Sequence, residues 1–294
     1  MRTIYKFILA AFLIFALAGC HKNSTQPEDS GNTSNQIKKS PKRGLAYNLK
    51  DSADFEALKN GISWWYNWYF KTDAPKNYYS EYQMEFIPML WGGNSADDFV
   101  QAKNFILAHT EIKYLLILNE PNLTDQANQT PEQAAQNWKQ YEKLKSDLKA
   151  LGRTIYLVGP AMTWGTMPNY SDPVVWLDAF YKAYRQANEG KDPQIDYLAF
   201  HWYDYGLDSQ LNRLKKYGKK IWVTEMANWN PQIDSYQKQA EQMKQMVAIC
   251  ENRDDVFRYA WFTGRGAEAK FSNLFDSKSG KLNDLGKLYV SLPY

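Results

Sequence analysis

Two cysteines and three histidines are all that 294 residues contain. His21, His109 and His201 are too few and too scattered to build a His-rich metal site, and no Asp/Asn loop has calcium spacing. No metal and no other cofactor is therefore expected. A Gly-x-Ser-x-Gly elbow is missing, which weakens an esterase reading. So is a glycine-rich phosphate turn after the first predicted strand, where Asn48-Leu-Lys-Asp51 stands instead. That absence disfavours an open doubly wound sheet. Charge of one sign is scarce as well: 35 Lys and Arg face 32 Asp and Glu. The basic residues are scattered rather than gathered in a stripe, so no nucleic-acid partner is expected. No internal repeat is present.

What is there begins with an export signal. Arg2 and Lys6 supply a positive start, Phe7 to Ala16 an apolar core too short to span a bilayer, and Leu17-Ala18-Gly19-Cys20 the pattern of a bacterial lipobox. Cleavage would leave Cys20 as a lipidated N-terminus; the plainer alternative is an ordinary cleaved signal with an incidental cysteine. If Cys20 carries lipid, Cys250 is left without a disulfide partner, and stability has to come from the core. Residues 21–42, polar and almost free of apolar side chains, read as a flexible tether. The mature chain is expected in the bacterial cell envelope, held to the membrane by its lipid, on an outer membrane facing periplasm or exterior. Residues 43–294 suffice for one large domain, expected to act as a monomer.

Apolar runs bounded by turn residues predict eight strands, at 43–48, 62–68, 85–91, 114–119, 154–160, 196–202, 220–225 and 258–263. Amphipathic stretches lie between most of them, at 52–59, 95–109, 131–150, 172–188, 208–217 and 235–251, with a closing helix near 283–291. Strands alternating with helices mean βα units and a parallel sheet, and eight is the number of a (β/α)8 TIM barrel. Thr130-Pro131-Glu132 is a helix start, and Gly152 lies just past that helix's end. Residues 71–82, with Pro75 inside, predict an irregular crossover.

Two glutamates close apolar strands: Glu120 ends Tyr114-Leu-Leu-Ile-Leu-Asn119, and Glu225 ends Lys220-Ile-Trp-Val-Thr224. At the C-terminal ends of parallel strands they would face each other across the barrel mouth, as hydrolysis of a glycosidic bond requires. Asn119 could bond a sugar hydroxyl. His201 could support a carboxylate and Tyr203 donate its hydroxyl to the nucleophile, since strand alternation puts both on one side. Aromatics make up 16% of the chain, with 11 Trp. Trp64, Trp65, Trp68, Trp91, Trp164, Trp202, Trp229 and Trp261 fall near strand ends, where indole faces could stack on sugar rings. Trp138, Trp176 and Trp222 read as packing residues.

The ordered set Asn119-Glu120-Pro121-Asn122, His201-Trp202-Tyr203, Trp-Val-Thr-Glu225 and Trp261 resembles clan A of the glycoside hydrolases. Within it the chain is most similar to glycoside hydrolase family 128, the alkali-sensitive-linkage-type catalytic domain, over 42–293, including the opening Lys42-Arg-Gly-Leu-Ala-Tyr-Asn48. The resemblance implies a metal-free retaining endo-β-1,3-glucanase of laminarin or curdlan type, with Glu120 as acid/base, Glu225 as nucleophile and aromatic subsites along a curved β-1,3-glucan. Arginine often stands near the nucleophile in that clan; Arg43 should lie at the bottom of the first strand and Arg265 follows the eighth, so the sequence does not say which arginine, if any, takes that place. Two alternatives remain beside this reading: a surface glycan-binding lipoprotein with weak or no hydrolysis, and a clan A glycosidase acting on another β-linked polysaccharide.

Overall fold

Runs of four to six apolar residues bury both faces of a strand only beneath helices, and that is where they lie. The computed structural model describes residues 36–266 and 270–294. The signal segment, Cys20 and most of the expected tether fall outside these residues. The strands are β1 (Arg43–Ala46), β2 (Trp64–Tyr66), β3 (Glu85–Phe86), β4 (Met89–Leu90), β5 (Tyr114–Ile117), β6 (Tyr156–Met162), β7 (Tyr197–Trp202), β8 (Ile221–Met226) and β9 (Val256–Trp261). The helices are α1 (Ser52–Leu58), α2 (Ala96–Ala108), α3 (Pro131–Ala150), α4 (Pro173–Ala187), α5 (Leu207–Leu214), α6 (Tyr236–Asn252) and α7 (Asp284–Ser291).

The fold is α/β, with one sheet in the order β3-β2-β1-β9-β8-β7-β6-β5-β4, all neighbours parallel. Among the described residues nine strands replace the eight expected, because the predicted run 85–91 is interrupted at Pro88, which has no N–H to give. The segment bonds to both sides: Ile87 N–H donates to Trp65 O at 2.9 Å, and Leu116 N–H donates to Pro88 O at 2.9 Å. The crossover after β2 is irregular, as Pro75 predicts. Helix α3 starts with a full capping box between Thr130 and Gln133, and Gly152 takes the left-handed φ of 78° beyond its end.

Side chains alternate about the sheet with period two. Trp64, Tyr66, Leu116, Val158, Ala199 and Trp222 form an inner cluster; Leu45, Trp65, Phe86, Leu115, Phe200 and Val223 join the larger outer one beneath the helices. Gly44 makes room for this inner packing, since a Cβ there would meet the Trp64 indole at 2.2 Å. Arg258 sits among the inner rings, 4.9 Å from the Trp222 centroid and 5.0 Å from that of Tyr114. It pairs with Glu85 at 2.6 Å.

The boundary of the tether moves. Residues 37–42, polar enough to be assigned to it, are packed on the domain. The Lys39 ammonium donates to the carbonyls of Lys59 and Tyr82 at 2.9 and 3.0 Å, and burial pushes its pKa down to about 8. Lys42 donates to the carbonyls of Cys250, Glu251 and Arg253 at the C-terminal end of α6, where cations complement the helix dipole. Hydrogen bonds from lysine ammonium groups thus tie this stretch to the domain. No helix among the described residues is long and apolar enough to cross a membrane.

Candidate active site

Two local irregularities bring the strand-end glutamates together. Along β7 and β8, Phe200 pairs with Val223 but His201 pairs with Glu225, so Thr224 is an extra residue on β8. This bulge re-aims the chain and sets Glu225 beside His201. After β5 the backbone turns through left-handed φ at Leu118 (54°) and Glu120 (48°). Glu120 N–H then donates to Ala161 O at 2.8 Å. Neither residue is glycine, asparagine or aspartate, and such conformations cluster at functional sites.

His201 is fully buried, and its Nδ1 lies 2.8 Å from Glu120 Oε1 and 3.3 Å from Glu225 Oε2. Burial alone would lower its pKa. The charge of Glu225, then the hydrogen bond and charge of Glu120, outweigh burial and hold it above the ordinary value. Glu225 is the more heavily bonded carboxylate: Oε1 accepts from the Tyr66 hydroxyl at 2.8 Å and the Trp68 indole N–H at 2.7 Å, and Oε2 accepts from the Tyr203 hydroxyl. Burial, followed by the Glu225 charge, raises both phenols well above their usual pKa. They stay protonated and can only donate to the anion. Asn119 donates from Nδ2 to Gln126 at 3.1 Å, while its buried Oδ1 has no partner among the described residues.

Glu120, His201 and Glu225 offer atoms that all lie within 4.8 Å of one another, a spacing that a cation could bridge. Scattered in sequence, the one histidine and two carboxylates nevertheless meet in space. However, the 2.8 Å contact from Nδ1 to Glu120 is a direct hydrogen bond. Both oxygens of Glu225 already accept hydrogen bonds from phenol or indole. The geometry suits two carboxylates that handle a proton.

The pair opens into a cleft of about 810 Å³, with Trp68, Trp91, Trp164, Trp202, Trp229 and Phe262 among its walls. Trp64, Trp65 and Trp261 do not reach it: each is fully buried. Period-two alternation explains the first two, since Trp64 turns into the inner cluster and Trp65 outward against Phe55 and Tyr78. Trp261 lies in the outer cluster, bonded to Ser272 O at 2.8 Å. Trp138, Trp176 and Trp222 are buried packing residues, as read from the sequence. Arg43 is occupied by Tyr259, Tyr289, Glu251 and Pro293, and Arg265 clamps Asp54; neither touches Glu225. The sequence reading missed Tyr66, although the alternation Trp64, Tyr66, Trp68 would have put all three on one face. It also missed Thr163, Asp204 and Gln210 on the cleft wall, which carry no motif.

Residues 44–289 match the family model described as glycosyl hydrolase catalytic core. Among curated proteins the chain is 30% identical over 265 residues to alkali-sensitive linkage protein 1 of Schizosaccharomyces pombe, covering 86% of this chain and 45% of that protein. The chain thus spans a little under half the length of this curated relative. Among solved structures, a subgroup II family 128 endo-β-1,3-glucanase from Pseudomonas viridiflava is 53% identical with a TM-score of 0.82, covering 87% of this chain and all (100%) of the other. A subgroup II endo-β-1,3-glucanase of the same family from Sorangium cellulosum is 31% identical with a TM-score of 0.73, covering 86% and 98%.

Proposed function

Because the chain belongs to glycoside hydrolase family 128, we propose that it is an endo-β-1,3-glucanase that hydrolyses laminarin- or curdlan-type glucan with retention of configuration. One observation carries the reading: one carboxylate oxygen of Glu120 and one of Glu225 stand within 4.8 Å of each other in a tryptophan-walled cleft. Retaining enzymes hold their carboxyl groups about 5–5.5 Å apart, whereas inverting ones need about 6.5–9.5 Å to admit a water.

In the first step Glu120 gives its proton to the glycosidic oxygen while Glu225 attacks the anomeric carbon. In the second, Glu120 takes a proton from water as the water oxygen attacks that carbon and the bond to Glu225 breaks. The dense bonding of Glu225 suits a carboxylate that must be held still, and the single side-chain hydrogen bond between Glu120 and His201 leaves Glu120 free to exchange its proton. The unpartnered Asn119 Oδ1 is suited to accept from a sugar hydroxyl. Trp91, Trp164, Trp202 and Trp229 supply flat faces for neighbouring sugars, while His201 and Tyr203 support the two carboxylates.

The sheet is further read as a closed (β/α)8 barrel in which β3 and β4 are one strand broken at Pro88. Hydrogen bonds from that segment to both β2 and β5 support this. Lipid on Cys20 would hold the enzyme, acting as a monomer, at the cell envelope, a reading supported by the lipobox spacing alone. The test is a panel of laminarin, curdlan, xylan, mannan and β-1,4-glucan with sizing of the products. Internal cuts in the β-1,3-glucans support the proposal. Release from another polymer, or binding without release, would overturn the substrate assignment.

A further inference from the structure

Trp68 follows β2 with φ of 62°, a backbone conformation that bulky side chains avoid. Its ring packs on Tyr66 and Phe262, with centroids 5.2 and 5.7 Å away, and its indole N–H meets Glu225 Oε1 at 2.7 Å. The Tyr66 hydroxyl meets the same oxygen at 2.8 Å. Among the described residues no lysine or arginine forms an ion pair with Glu225; its one basic neighbour is His201, at 3.3 Å from the other oxygen. The carboxylate is therefore held on Oε1 by two neutral donors.

We propose that Trp68 is a positioning residue for Glu225, its indole N–H serving where a guanidinium would otherwise serve; this rests on the reading of Glu225 as nucleophile. Neutral donors on Oε1 do two things. They fix the plane of the carboxylate for attack, and they stabilise the charge that returns to it. In the second step the water oxygen bonds to the anomeric carbon, the bond from that carbon to Glu225 breaks with its electron pair going back to the carboxylate, and the water proton passes to Glu120. A lost donor makes Glu225 a poorer leaving group while leaving it basic enough to attack. The second step then slows more than the first, and the glycosyl-enzyme accumulates.

The test replaces Trp68 with benzothienylalanine, an isostere of the indole with sulfur in place of N–H, and separately uses Trp68→Phe. Laminarin and an activated aryl β-laminaribioside serve as substrates. The proposal predicts that kcat on laminarin falls about 10- to 100-fold with the isostere, the loss of a hydrogen bond to a charged group. KM should fall with it, the aryl substrate should show a burst, and intact mass should reveal a glycosyl adduct on the protein. An unchanged kcat, or a higher KM at unchanged kcat, would mean that the ring only stacks on sugar and would overturn the proposal. If Trp68→Phe unfolds, the isostere carries the test by itself. Release of sugar by the unsubstituted enzyme with an unaltered isostere sinks the role of Trp68 alone; no release from any β-1,3-glucan sinks the substrate reading and this proposal with it.

Discussion

Replacing the two glutamates by alanine, one at a time, separates their roles through the stereochemistry of rescue. In the proposed mechanism Glu120→Ala removes the group that protonates the leaving oxygen and later deprotonates water, and such proton transfers contribute about 10²- to 10⁴-fold each. Turnover of laminarin should fall by at least about that range. An aryl β-laminaribioside with a good leaving group needs little acid help, so its first step survives and the second becomes limiting. Azide needs no general base. The shortened side chain leaves space beside His201 Nδ1, which loses its 2.8 Å bond to Glu120. Added azide should therefore restore rate and yield the β-glycosyl azide, formed by attack on the Glu225 adduct. Glu225→Ala has no adduct to attack, so azide must enter from the nucleophile's side and give the α-glycosyl azide. Rate against azide concentration, with the product anomer read by NMR, is the assay. An α-azide from Glu120→Ala, a β-azide from Glu225→Ala, or near-parental laminarin turnover in either variant would refute the assignment.

His201 links pH to stability. Its folded-state pKa is raised by the Glu225 and Glu120 carboxylates against the effect of burial. The stabilisation is therefore complete below the unfolded value of about 6.5 and is lost as pH rises through the folded value. The unfolding free energy of the parent minus that of His201→Gln, from urea titrations, should shrink across that rise; a difference that grows with pH contradicts the electrostatic account. Gly44→Ala should destabilise by about 1–3 kcal/mol because its Cβ would lie 2.2 Å from the Trp64 indole. The melting temperature then drops by about 2–4 °C per kcal/mol, and an unchanged value would show that the inner packing yields. Cys20→Ser should release the protein from the membrane fraction with its fold intact, since the proposed attachment by acyl chains depends on that residue. Equal labelling of parent and variant by a palmitate analogue would contradict the anchor.

Most of the fold was legible because the signals that set it are local. Apolar runs mark the strands, and Thr130-Pro131 marks the start of α3 to the residue. Pro88 was visible too, but its effect on the ladder depends on which neighbours need its missing N–H. The glutamate pair could be read because each carboxylate ends an apolar run that must surface. Less legible were the devices that aim those carboxylates: an extra residue at Thr224 and left-handed turns at Leu118 and Glu120 arise from pairing with adjacent strands. Tryptophans near strand ends misled where alternation was ignored. Trp64 and Trp65 are consecutive and cannot face one cleft, and they pack on opposite sides of β2. The packed stretch 37–42 was hidden for another reason, since its lysines find backbone carbonyls rather than apolar neighbours.

The central claim, that Glu120 and Glu225 cleave β-1,3-glucan by two successive displacements, is tested most directly by the first anomer released. Proton NMR of laminarin digestion, followed from the earliest turnover before mutarotation, should show the β-anomer of the new reducing ends growing first, with the α-anomer lagging at the mutarotation rate. Appearance of the α-anomer first would mean direct attack by water, which the carboxylate spacing does not accommodate, and would contradict the account.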